Sequence, residues 1–183
     1  MNKIDFSKNK AVYSAKEVAR TAVFTAMVIG LQYALSAIPF VEVVTLLFAV
    51  YSYVFGGLRG AVAAVAFALL RQLLFGFFPV VLALYLVYFP LLCLAFGALR
   101  KTKLSGWKLL AVATSLAVVC TIGFTLLDSF LTPLYYSYTP RAARAYFRAA
   151  VPFMLGQSAC VALSVGTLFA PLTKVIQKAI SKP

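Results

Sequence analysis

Histidine is absent from this 183-residue chain, and Asp and Glu together number only four. These shortages remove most metal, hydrolytic and proton-shuttling chemistry, which draws on imidazoles and clustered carboxylates. Three cysteines are present, Cys93, Cys120 and Cys160, each inside an apolar stretch and without metal-ligand spacing. They read as small packing residues. No metal, cofactor or catalytic residue is expected, and no Gly-rich nucleotide loop is present, so any use of ATP falls to a partner. Internal repeats are absent. The first apolar run lacks a short core with a small-x-small cleavage site and reads as a permanent span.

What the chain has in excess is apolar surface. Hydrophobic residues make up 63% and charged residues 11%, with a mean hydropathy of +0.97. A soluble core of this length does not need so much; a bilayer does. Six long apolar stretches cover residues 16–38, 41–55, 61–75, 80–99, 107–131 and 149–172. They are apolar nearly all round and show no barrel-like alternation, so helices are expected. The expectation is an all-α integral membrane protein, one domain, built as a six-transmembrane-helix bundle. Gly56–Gly60 is expected as a turn, Gly76–Pro79 as a break, 100–106 as a basic loop and 132–148 as a longer Tyr/Arg-rich loop.

The net charge of +13 would suggest nucleic acid in a soluble protein. Here the bases gather at span ends, which points to topology and anionic lipid headgroups instead. Thirteen Lys/Arg lie on the side of the N-tail, Arg59, the 100–108 segment and the C-tail. Only Arg141, Arg144 and Arg148 lie on the other. The positive-inside rule then puts both termini in the cytoplasm.

With that orientation the polar residues within spans gather at the outer end: Gln32, Glu42, Arg71, Gln72, Asp128 and Gln157. Ionisable groups in a membrane usually face a partner or a water-filled cavity. Helical steps of three and four put Glu42, Thr45, Ala49 and Ser52 on one face of the second span. They do the same for Thr114, Ala117, Thr121, Thr125 and Asp128 of the fifth, and for Gln157, Cys160, Ser164 and Thr167 of the sixth. Arg71 is open to Glu42, Asp128 or a ligand. Tyr85 and Tyr88 suit either core or pocket. Tyr135, Arg141 and Arg144 suit a loop folding over a ligand or an interfacial belt. Ala15, Ala19, Ala22, Ala26 and Gly30 form a small-residue stripe on the first span, mostly in its cytoplasmic half, which suits close approach of another helix.

Taken together, the chain resembles the substrate-binding S component of energy-coupling factor (ECF) transporters. The likeness rests on length, six spans, the Ala22-Val23-Phe24-Thr25-Ala26 pattern preceded by Ala19, and three local segments. These are Pro39-Phe40-Val41-Glu42-Val43-Val44-Thr45, Phe55-Gly56-Gly57-Leu58-Arg59-Gly60 and Leu73-Leu74-Phe75-Gly76-Phe77-Phe78-Pro79. The resemblance implies high-affinity capture of a vitamin-like micronutrient at the outer face of a prokaryotic plasma membrane. It also implies docking of the alanine stripe on a transmembrane coupling protein bound to two cytoplasmic ATPases. Riboflavin, thiamine, biotin and folate patterns are not found. Pantothenate, a corrinoid and tryptophan- or queuosine-type precursors all suit an anion-binding, ring-lined pocket. A self-sufficient carrier would show inverted repeats and mid-bilayer helix breaks. An enzyme would need more than Glu42, Asp128 and Arg71. A purely structural subunit leaves those three without a use.

Overall fold

A computed structural model of the chain describes residues 14–38, 41, 43–102 and 104–181. Six helices follow one another: α1 (Ala15–Leu35), α2 (Val44–Phe55), α3 (Gly57–Phe75), α4 (Pro79–Leu99), α5 (Gly106–Tyr135) and α6 (Pro140–Ser181). No strand occurs among the described residues. All except α2 are long and apolar enough to cross a membrane, the pattern of a multi-pass helical membrane protein. Prolines inside α4, α5 and α6 are tolerated in such helices, because neighbours and side chains satisfy the freed carbonyls.

α2 departs from the expected second span. With 12 residues it is about 18 Å long at 1.5 Å per residue, well short of a hydrocarbon core of about 30 Å. Nine of its residues are buried, and it packs against all five other helices. Most of its surface therefore meets protein, and the apolar side expected opposite Thr45, Ala49 and Ser52 is only partly exposed, at Leu47, Tyr53 and Phe55. A helix enclosed in this way need not match the bilayer thickness.

The turn after it is tighter than expected. Gly56 alone, at φ +106°, joins α2 to α3, and α3 starts at Gly57. A left-handed backbone of this kind suits glycine. Glycine also allows α3 and α4 to touch: a Cβ at Gly57 would lie 2.9 Å from the Cys93 carbonyl oxygen, and one at Gly97 would run into the Gly57 backbone. At the other end of α3, Gly76 (φ +92°) ends the helix and Pro79 starts α4. Phe78 N–H there donates to the Gln72 side-chain oxygen at 3.0 Å.

The 132–148 segment is not a loop. α5 runs to Tyr135 and α6 begins at Pro140, leaving only Tyr136–Thr139 between them. Proline suits the first helical position, and Ala142 N–H donates to the Thr139 hydroxyl at 3.3 Å. Arg141-Ala142-Ala143-Arg144-Ala145 are strong helix formers. At 42 residues α6 is about 63 Å long and exceeds the membrane core.

The core centres on Phe48 of α2, with ring centroids 5.4 Å from Phe24, 5.3 Å from Phe67 and 5.0 Å from Phe89. Val161, Val165 and Phe169 bring α6 onto it. These four-residue steps define the inner face of α6. Thr167, expected on that face, is exposed.

Candidate functional site

Alternation of helix direction brings one end of every helix to a common level. The C-terminal ends of α1, α3 and α5 meet the N-terminal parts of α2, α4 and α6. The short α2 starts below that level and leaves a volume above it. There, a cavity of about 390 Å³ is lined by Gln32 and Leu35 of α1, Val43 and Val44 at the head of α2, and Arg71 and Phe75 of α3. Tyr85 of α4 and Phe153 and Gln157 of α6 complete its wall.

Arg71 dominates this cavity. Its guanidinium carbon sits 4.7 Å from the Phe75 ring centroid and 4.9 Å from that of Tyr85. Phe75 is one turn further along the same helix, so the sequence itself supplies half of the cradle. Cation–π contacts of this kind contribute about 0.5–2 kcal/mol each. Nε and Nη1 of Arg71 are buried and have no hydrogen-bond partner. Among the described residues no carboxylate lies within ion-pair distance of it; both ion pairs there belong to Glu17. A half-buried guanidinium whose Nε and Nη1 are shielded and unused is an anion-binding group by chemistry. The head of α2 reinforces that sign. Its N-cap residue, Val43, supplies no capping side chain, and a helix N-terminus carries partial positive charge.

Gln32 Nε2 donates to the Tyr85 hydroxyl at 3.5 Å, and Gln32 Oε1 is buried without a partner. Below, Thr45 and the Tyr88 hydroxyl approach to 3.3 Å. Thr45 is fully buried and does not line the cavity, so the pair forms a polar layer beneath it.

A second cavity, of about 310 Å³, adjoins the first, with Phe153 and Gln157 lining both. Its polar wall is Asp128 of α5 with Tyr146 of α6. Thr132 donates to Asp128 Oδ1 at 2.7 Å, and Tyr146 donates to Oδ2 at 2.8 Å. Of the partners left open for Arg71, Asp128 is not in ion-pair contact with it.

Several expected site residues lie elsewhere. Gln72 is buried and turned to the α3–α4 junction, where it accepts from Phe78. Tyr135 is 58% exposed and lines a separate apolar cleft with Pro79 and Leu131. Arg141 and Arg144 are exposed on the first turns of α6 and line neither cavity, because those turns are helical and direct them outward. Glu42 lies outside the described residues. The lining residues not anticipated include Phe75, Tyr146 and Phe153. Phase from Arg71 would have found Phe75, and recognising Pro140 as a helix start would have found the other two.

At the opposite end, Glu17 in the first turn of α1 pairs with Arg20 at 3.1 Å and Arg59 at 3.4 Å. Arg20 also lies 4.6 Å over the Phe55 ring. These contacts tie the start of α1 to the α2–α3 turn. Ala15, Ala19, Ala22, Ala26 and Gly30 are all exposed, and a Cβ at Gly30 would meet nothing within 4 Å. Next to the stripe, an apolar groove of about 560 Å³ runs between α1, α2 and α6, lined by Ala19, Val23, Met27, Val50 and Leu172. No protein-family model, curated protein or solved structure matches the chain.

Proposed function

We propose that this chain is the substrate-binding membrane subunit of an ATP-driven importer of the energy-coupling factor type. It binds a vitamin-like micronutrient at the outer face of a prokaryotic plasma membrane, with both termini in the cytoplasm. It carries out no catalysis. A transmembrane coupling protein and two cytoplasmic ATPases supply the energy for delivery inward.

The observation that carries this reading is Arg71. A half-buried guanidinium held between Phe75 and Tyr85, with two buried nitrogens unpartnered, is costly in a membrane unless a ligand meets it. Its cavity opens at one end of the bundle among Gln32, Tyr85 and Gln157. That chemistry suits a carboxylate or phosphate next to a ring. The alanine stripe supports the partner side of the reading. It is exposed along its whole length and so is not consumed by packing within the bundle. Small residues of this kind allow another helix to approach closely. The surplus of basic residues at the other end of the bundle supports the orientation and suits contact with anionic lipid.

The test is native mass spectrometry of the full chain purified in mild detergent. A stoichiometric adduct of vitamin size is expected on the wild-type chain and not on a folded Arg71→Gln variant. An adduct that survives Arg71→Gln, or its absence from both proteins, refutes the binding role given to Arg71. Uptake by cells that contain this chain but no ATPase partners would refute the importer reading.

A further inference from the structure

Asp128 carries the opposite charge from Arg71 and is equally uncompensated. Its two carboxylate oxygens accept from the neutral hydroxyls of Thr132 and Tyr146. Those donors fix the carboxylate in place without neutralising it. A carboxylate offers about four acceptor positions, so room for a further donor remains on each oxygen. No Lys or Arg lies within ion-pair distance of it among the described residues. Asp128 is half-buried, and a carboxylate that meets only neutral donors there gains when a counter-charge arrives.

The two charges do not pair with each other, yet their cavities share part of one wall. Phe153 and Gln157 line both. Aromatic rings fill the path between them. The Tyr85 ring that stacks on Arg71 lies 5.8 Å from the Phe124 ring, and Phe124 lines the Asp128 cavity one helical turn from Asp128. A ligand with one charge would therefore compensate one end and leave the other uncompensated.

Resting on the reading of Arg71 as an anion binder, we infer that the site takes an amphoteric, ring-bearing small molecule. Its anionic group meets Arg71, its ring lies along Tyr85 and Phe124, and a cationic nitrogen at its far end meets Asp128. Molecules with neighbouring charges, such as α-amino acids, place both at one end and do not satisfy this arrangement.

The experiment uses the full chain in detergent micelles, titrated calorimetrically with three probes of one scaffold. These are para-(aminobutyl)benzoate, its methyl ester, which lacks the anion, and its N-acetyl derivative, which lacks the cation. Wild type is expected to bind the parent at least about tenfold more tightly than either derivative, as removal of one partner from a buried charge pair requires. Asp128→Asn should abolish the preference over the N-acetyl derivative and keep the preference over the ester. Arg71→Gln should do the reverse. Tyr146→Phe, which keeps the carboxylate, should retain both preferences. Equal wild-type affinity for the parent and the N-acetyl derivative overturns the inference and leaves the anion-binding role of Arg71 standing. So does an Asp128→Asn variant that still discriminates. Binding of none of the three probes also overturns it, while the adduct experiment decides the role of Arg71 separately. The wild-type comparison decides even if a variant fails to fold.

Discussion

Replacing Gly97 by alanine adds one methyl group where two helices are closest. The new Cβ would be driven into the Cα and nitrogen of Gly57. These are backbone atoms at the first residue of α3, so no rotamer change can relieve the overlap. α3 and α4 must separate, loosening Gly60 from Cys93 of α4, against which it packs. Overpacking of this kind destabilises by about 1–3 kcal/mol, and a backbone obstacle puts Gly97 at the upper end. Alanine in a helix interior returns about 1 kcal/mol over glycine. The expected net loss is about 2 kcal/mol, or a thermal midpoint lowered by about 4–8 °C for a chain of this size. Gly123→Ala is the matched control, because a Cβ there meets nothing within 4 Å. It should be neutral or stabilising by up to about 1 kcal/mol. Thermal unfolding of both variants in the same detergent makes the comparison. A Gly97→Ala midpoint equal to that of Gly123→Ala would refute the close α3–α4 approach.

Gln72→Leu removes the acceptor for Phe78 N–H at the α3–α4 turn and should lower stability by about 1 kcal/mol, seen as faster proteolysis at Gly76–Pro79; unchanged cleavage would mean that water replaces the bond. Ala22→Leu and Ala26→Leu fill the exposed stripe and should abolish uptake while leaving the mass-spectrometric adduct intact, and loss of the adduct too would show that the stripe and the cavity are not separate.

Hydropathy and the alternation of span direction made the depth of each residue legible. That is why Gln32, Arg71, Asp128 and Gln157 were expected at one end of the bundle, and why they line two adjoining cavities there. Azimuth was much less legible. In a soluble helix, polarity marks the solvent face, but in a membrane both the lipid face and the protein face are apolar. Thr45 and Gln72 stand at the right depth, yet one is turned into the core and the other into a turn. α6 illustrates the same difficulty. Its buried face follows Val161, Val165 and Phe169, whereas the polar residues suggested a face through Ser164 and Thr167.

The 132–148 segment failed for another reason. Its tyrosines and arginines read as loop composition, while Thr139-Pro140 followed by Arg-Ala-Ala-Arg-Ala is a helix start. Giving that start more weight than polarity places Tyr146 two turns inside α6, within reach of Asp128. It also turns Arg141 and Arg144 outward.

The least legible feature was the length of α2, and the cavity depends on it. α1 ends at Leu35 and α2 begins only at Val44. A second helix as long as its neighbours would fill the space now bordered by Val43, Arg71 and Gln157. Nothing in the run from Val43 to Phe55 marks it as short, since its residues are uniformly apolar or hydroxylated. Its enclosure by five helices removes the bilayer constraint that would otherwise lengthen it. A single short, largely enclosed helix thus creates the binding volume. Arg71 in that volume and Asp128 in the neighbouring cavity give this end of the bundle its charge pattern.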